Sequence, residues 1–66
     1  MTIPSHIEKK LNAIRTFAKE MDYFVTEGTE INVYGEEYYY IFIHDGDELH
    51  DPFMEWQWWT DSWIEV

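Results

Sequence analysis

The first third of the chain has the hydrophobic spacing of an amphipathic helix. Apolar side chains recur three or four residues apart, and Phe17 widens the stripe formed by Ile7, Leu11, Ile14, Ala18 and Met21. Pro4 suits the first turn of a helix, where a backbone N–H would have no partner within the helix. The pattern predicts a helix at about residues 4–21.

After Tyr23 the hydrophobic period changes to two, which is typical of β-strands. Turn residues at Glu27-Gly28-Thr29 and Gly35-Glu36-Glu37 divide this region. It predicts an antiparallel meander with strands at about residues 23–27, 30–34 and 38–44. A turn-rich acidic run follows, from Asp45 to Pro52.

The segment at about residues 53–63 fits two structures. A strand would group on one face Met54, Trp56, Trp58 and Thr60, whereas a short helix after Asp51-Pro52 would group Trp56, Trp59 and Trp63. The many aromatic side chains favour a fourth strand, with the helix as the alternative. The elements together predict an α+β fold in a single domain over residues 1–66, with one N-terminal amphipathic helix packed on a three- to four-stranded antiparallel sheet.

One helix covers only one face of such a sheet. Alternation assigns to the covered face Ile31, Val33, Tyr39, Ile41 and Ile43. It assigns to the other face Tyr34, Tyr38, Tyr40, Phe42 and His44. Exposed apolar patches of this extent usually mark interfaces. Three arrangements are therefore considered: the C-terminal tryptophans fold over this face, a homodimer forms through it, or a partner protein binds it.

Composition narrows the class of protein. The chain has 66 residues and no cysteine, so neither a disulfide framework nor a thiolate zinc site supplements its small core. Aromatic residues make up 20% of the chain, which indicates a folded protein despite the net charge of −10. The sequence shows neither a membrane span nor the pattern of a signal peptide, and we expect a cytoplasmic location.

The charge is divided along the chain. All four cations lie before residue 20 with a single acid, Glu8: they are Lys9, Lys10, Arg15 and Lys19. The other 13 of the 14 acids follow without one Lys or Arg. Surfaces that serve only solubility mix both signs, because unbroken like charge destabilises the compact state. We therefore expect this segment to bind a cationic protein surface rather than nucleic acid, whose phosphates it repels.

Catalytic and metal-binding patterns are not found. The acidic run from Asp45 fails as an EF-hand loop, because its fifth and sixth positions are Leu49 and His50. Paired carboxylates occur at Glu36-Glu37, but general acid–base catalysis needs a cleft that separates their pKa values, and a chain this short offers little cleft. We expect no enzyme activity, no catalytic residue, no metal site and no cofactor.

In its small size, one-sided acidic charge, aromatic content and helix-on-sheet pattern, the chain resembles phage-encoded inhibitors of the anti-CRISPR and anti-restriction kind. Several of these are DNA mimics. The resemblance covers size, charge and composition, and it implies that carboxylates on a rigid scaffold imitate DNA phosphates. Such a protein would occupy the cationic nucleic-acid-binding surface of a CRISPR effector or restriction enzyme in the bacterial host cytoplasm.

Projecting carboxylates are expected at the hairpin turn and in the acidic loop. The candidates for partner binding are Glu30, Glu36, Glu37, Asp45, Asp47, Glu48, Asp51 and Glu55. Candidate aromatic anchors, provided that they are exposed, are Tyr40, Trp56 and Trp58. Two alternative functions fit the same residues: an antitoxin or immunity-type protein that neutralises a basic toxin, and a small structural or assembly protein that oligomerises through its aromatic face.

Overall fold

The computed structural model describes residues 2–46 and 51–66, which form one helix and four strands. In chain order these are α1 (Ser5–Glu20), β1 (Phe24–Ile31), β2 (Glu37–His44), β3 (Pro52–Trp59) and β4 (Ile64–Glu65). Every neighbouring pair of strands is antiparallel, and their order in the sheet is β1-β2-β3-β4. Because α1 packs on one face of this sheet, the predicted α+β fold is confirmed.

The core lies between α1 and the two central strands. The helix buries four side chains at helical spacing, Ile7, Leu11, Ile14 and Ala18. They pack against three buried side chains of the sheet, Ile41 and Ile43 on β2 and Trp58 on β3. Complete burial of a large apolar side chain contributes roughly 1.5–3 kcal/mol, so these seven residues supply much of the hydrophobic stabilisation.

Two ion pairs connect the flanks of α1 to the two edge strands of the sheet. On one flank the Arg15 guanidinium binds the carboxylate of Glu27 on β1. On the other flank the Lys10 ammonium binds the carboxylate of Glu65 on β4 and lies 5.8 Å from the centre of the Trp58 ring. Two of the four cations of the helix are therefore paired with acids of the edge strands. No helix in residues 2–46 or 51–66 has the length and apolar character needed to cross a membrane.

The two short strands predicted at 23–27 and 30–34 are wrong, because the structure has one strand, Phe24–Ile31, in their place. All eight of its residues pair with β2, which leaves no turn at Glu27-Gly28-Thr29. Gly28 lies opposite Tyr40, and a Cβ atom at Gly28 would be 3.4 Å from the Tyr40 hydroxyl oxygen. A neighbouring aromatic ring thus covers the backbone at a residue that usually weakens a strand.

The prediction that Ile31 and Val33 pack on the helix is wrong, although the strand register places Ile31 on the helix side of the sheet. Ile31 is 66% exposed at the end of β1, and Val33 is 94% exposed in the following turn. Asn32 organises that turn, because its side-chain oxygen accepts hydrogen bonds from the backbone N–H groups of Tyr34 at 2.9 Å and Glu36 at 3.0 Å. Gly35 has a φ of 79°, a left-handed conformation that glycine adopts without strain.

The C-terminal segment is a strand from Pro52 to Trp59, followed by a turn and by β4. Met54 and Trp56 pack against the core on the side that faces α1, as does Trp63 after the turn. The tryptophans therefore do not fold over the second sheet face, as the first of the three arrangements required. Trp59 lies on the second face, where it is one of the side chains that form the face and does not cover it.

The position of the core can be tested by comparing two isoleucines. We expect Ile41→Ala to lower the free energy of unfolding by about 2–5 kcal/mol, because it leaves a cavity beneath α1. Urea titration followed by tryptophan fluorescence measures this loss. The matched control is Ile31→Ala, whose exposed side chain should change stability by no more than about 0.5 kcal/mol. Equal losses in the two variants would contradict this position of the core.

Candidate functional site

The sheet face opposite α1 is a functional candidate, and we call it the open face. Alternation and strand register place twelve residues on it, three or four from each long strand. They are Phe24, Thr26, Gly28 and Glu30 on β1, Tyr38, Tyr40, Phe42 and His44 on β2, Glu55, Gln57 and Trp59 on β3, and Ile64 on β4. No helix or strand of the described residues covers this face.

Aromatic rings form a continuous row along β2. The ring centres of Tyr38 and Tyr40 are 6.4 Å apart, and those of Tyr40 and Phe42 are 4.6 Å apart. Trp59 extends the row sideways onto β3, edge-on to Tyr38 at 6.2 Å. These four side chains are half-buried by their packing against one another, so the open face presents rings held in fixed positions.

A shallow depression of about 390 Å³ lies between β1 and β2 on the open face. Its wall on β2 is the aromatic row, and its wall on β1 carries one carboxylate, Glu30. The lining residues are Thr26, Glu30, Tyr38, Tyr40, Phe42 and His44. His44, at one end, is buried to 5% exposure, and the ring of Phe24 packs edge-on against it at 5.9 Å. The depression thus combines aromatic ring surface with a negative charge.

The open face is acidic and carries no cation. Its two carboxylates, Glu30 on β1 and Glu55 on β3, are both exposed. All four Lys and Arg residues of the chain belong to α1, on the other side of the sheet. In the described residues, neither carboxylate forms an ion pair. A positively charged group approaching this face therefore meets attraction without a competing cation of the chain itself.

The structure brings together three of the predicted site residues, Glu30, Glu55 and Tyr40, on the open face. Three others are exposed around it. Glu36 lies in the turn between β1 and β2, Asp45 directly follows β2, and Asp51 directly precedes β3. These carboxylates extend the acidic surface beyond the sheet itself.

Three other predicted residues do not belong to this surface. Trp58 is 1% exposed in the core, so it does not meet the condition set for an anchor, and Trp56 is half-buried on the face toward α1. Glu37 is half-buried and accepts a hydrogen bond of 2.9 Å from the Thr60 hydroxyl. Asp47 and Glu48 lie outside the described residues.

Sequence reasoning did not select Trp59 or Tyr38 as candidate anchors, although both belong to the aromatic row. The signal for Trp59 was available, because in a strand it lies on the face opposite Trp58. This signal depends on the segment being a strand, and the sequence also fits a short helix. In a helix Trp59 would have shared a face with Trp56 and Trp63.

A polar cluster on the helix side involves the chain's only arginine. Arg15 binds Glu27 through two nitrogens, with Nε 2.9 Å from Oε2, and the Tyr39 hydroxyl donates a hydrogen bond to the same carboxylate. The hydrogen bond from Arg15 lowers the pKa of Glu27, and the pKa of Arg15 is raised in turn. Burial, then the bond to Glu27, raises the pKa of Tyr39. Arg15 is therefore held by β1 and β2 on the side away from the open face.

The lowered pKa of Glu27 predicts how its contribution to stability depends on pH. The ionised carboxylate stabilises the fold fully above its ordinary pKa of 4.5, and this contribution is lost as pH falls through the lower pKa of the folded state. We expect Glu27→Gln to cost about 1 kcal/mol at neutral pH, because the pair is only partly exposed and is held by two hydrogen bonds. Urea titrations from pH 7 to pH 3 should show the difference from wild type shrinking.

The matched control is Glu30→Gln on the same strand, which removes a carboxylate that has no cation partner in the described residues. It should not reproduce this pH dependence. If Glu27→Gln differed from wild type by the same amount at pH 3 and pH 7, the charged pair would not be the source of the stabilisation.

The groups on the open face are of kinds that occur in protein-binding surfaces. Within residues 2–46 and 51–66, no group of three His, Asp or Glu side chains converges as metal ligands would. The open face instead offers fixed aromatic rings, two exposed carboxylates and a shallow depression.

No protein-family model matches the chain, and no curated protein or solved structure matches it either.

Proposed function

We propose that this protein is a small acidic inhibitor that binds the cationic nucleic-acid-binding surface of a host defence protein, such as a CRISPR effector or a restriction enzyme. The open face makes the contact. Its carboxylates take the place of nucleic-acid phosphates, and its aromatic rings supply apolar contact area. The bound inhibitor then excludes the nucleic acid from its site.

One observation carries this proposal, namely the separation of charge between the two layers of the fold. Every cation of the chain is on α1, and two of the four are paired with Glu27 and Glu65. The sheet face turned away from α1 is left with carboxylates alone. Such a surface is complementary to the Lys- and Arg-rich grooves that bind phosphates, and this complementarity speeds association and excludes other partners.

The aromatic row supports a protein partner over a small molecule. Protein interfaces are rich in Tyr and Trp, and their binding energy concentrates in a few such side chains surrounded by polar groups. Tyr38, Tyr40 and Trp59 lie together on the open face, with Glu30 and Glu55 on the strands that flank β2. The depression is shallow and exposes its rings, whereas small-molecule sites usually enclose most of the ligand.

Charge argues against the alternative of assembly through the same face. A two-fold dimer would place each residue of the open face against the same surface of the second copy. Glu30 and Glu55 of both copies would then share one interface that holds no Lys or Arg. An antitoxin-type protein, in contrast, uses the same electrostatics, and the two functions differ only in which basic protein is bound.

The proposal predicts inhibition that depends on the carboxylates of the open face. We expect expression of the protein in a bacterium with an active CRISPR or restriction system to raise phage plating. The double variant Glu30→Gln/Glu55→Gln should lose at least about tenfold of this effect, because truncating central charged contacts costs 2–5 kcal/mol in tight interfaces. The matched control is Glu8→Gln/Glu20→Gln, which removes the same charge from α1 and should retain inhibition.

Binding to the purified target distinguishes mimicry from other modes of inhibition. The affinity should fall steeply as salt rises, and duplex DNA should compete with the inhibitor for the target. Equal activity of the two double variants would refute a role for the open face. Simultaneous binding of DNA and inhibitor to one target molecule would refute mimicry.

A further inference from the structure

The same pair of strands carries a carboxylate beside a tyrosine on each of its two faces. On the helix side, Glu27 of β1 and Tyr39 of β2 are joined by a hydrogen bond and hold the guanidinium of Arg15. On the open face, Glu30 of β1 lies directly opposite Tyr38 of β2 in the sheet register. Both of these side chains line the depression.

The open-face pair differs in one respect, since no cation of the chain reaches it. Arg15, the only arginine, is bound on the other side of the sheet, and the remaining cations are lysines of α1. On the helix side a carboxylate and a tyrosine hydroxyl bind the guanidinium of Arg15. A carboxylate and a tyrosine thus lie side by side again on the open face, where the chain has no guanidinium to supply.

From this repetition we propose that the depression between β1 and β2 binds arginine side chains of the partner protein. The inference rests on the proposed function, in that it names the chemical group of the cationic partner that the open face recognises. The guanidinium lies against the ring of Tyr38 or Tyr40, and its N–H groups donate to the carboxylate of Glu30.

Arginine suits this site better than lysine for three physical reasons. Its guanidinium is planar and stacks on an aromatic ring, whereas the lysine ammonium is compact. It donates two parallel hydrogen bonds to one carboxylate. It is also less strongly hydrated, so a shallow aromatic depression removes its water at lower cost.

The occupant is a different protein rather than a second copy of this chain. In each copy the single arginine is already held by Glu27 and Tyr39. The cations that remain outside ion pairs in the described residues are Lys9 and Lys19, which carry no guanidinium. Self-association would therefore leave the proposed site without the group that fits it.

The inference is tested with two peptides of equal length and charge, hexa-arginine and hexa-lysine, titrated into the 66-residue protein at physiological salt. We expect the arginine peptide to bind about 3- to 30-fold more tightly, the range expected for stacking a cation on an aromatic ring. NMR shift changes should centre on Glu30, Tyr38 and Tyr40. Equal affinities, or shifts confined to the acidic residues around Asp45 and Asp51, would overturn the inference.

Two variants assign the preference to the site. Tyr38→Leu removes a ring and keeps apolar volume, and it should reduce the preference for arginine to less than about twofold. Its control is Tyr34→Leu, since Tyr34 is 84% exposed in the turn and away from the depression. Glu30→Gln changes an exposed side chain without disturbing the core, and it should weaken arginine binding even if Tyr38→Leu fails to fold. An unchanged preference in folded Tyr38→Leu would overturn the inference.

The outcome of the peptide experiment is independent of the outcome of the phage assay, so the inference and the proposed function can be refuted separately. If the protein inhibits a defence system but does not prefer the arginine peptide, it recognises its cationic partner by charge alone, and the inference is wrong. Arginine preference without inhibition of any defence system would support the site and refute the proposed function. A stable dimer in sedimentation that Tyr38→Leu dissociates would overturn the inference, because a second copy would occupy the face.

Discussion

The packing of α1 against Ile41, Ile43 and Trp58 is the interaction on which the rest of this structure depends. A chain of 66 residues has enough apolar side chains for one layer of helix on one layer of sheet. Once the helical stripe has buried one sheet face, no element of the described residues is left to cover the other. The exposed aromatic face is therefore a consequence of chain length and topology.

The same packing determines where charge lies. Because the apolar stripe of α1 turns inward, Arg15 and Lys10 project from opposite flanks and reach the carboxylates of the two edge strands. Ion pairs at partly exposed positions contribute little stability individually. Their larger effect is on the surface, since they pair cations with acids on the helix side and leave the acids of the open face without counter-charge.

The periodicity of α1 and β2 made both elements predictable, because a run of regular spacing reports directly which side of an element is buried. The break expected at Gly28 did not occur, because pairing of all eight residues with β2 outweighed the local weakness of a glycine. Alternation also placed Ile31 on the helix side, but a local pattern does not report whether the helix covers that end of the strand.

The candidate site was predictable in chemical type but only in part by residue. Glu30, Glu55 and Tyr40 followed from alternation and charge. The exposure of Trp58 and Trp59 was harder to predict. In a strand the two side chains lie on opposite faces, whereas in a helix Trp59 shares a face with Trp56 and Trp63. The segment fitted both structures. Glu37 was predicted as a projecting carboxylate for partner binding, yet it is half-buried and accepts a hydrogen bond from Thr60, a contact that exists only because β3 returns alongside β2.

The molecule is thin, and the separation of charge between its two layers affects how the protein is oriented when it approaches a charged surface. The fold measures 17 Å across its shortest dimension. Electrostatic fields in physiological salt solution decay over about 8 Å, so the lysines of α1 act only weakly through the solvent on a partner at the open face. The two layers also form an electric dipole across the sheet, which turns the protein as it nears a cationic surface. The open face then arrives first, which raises the fraction of encounters in which it makes the contact.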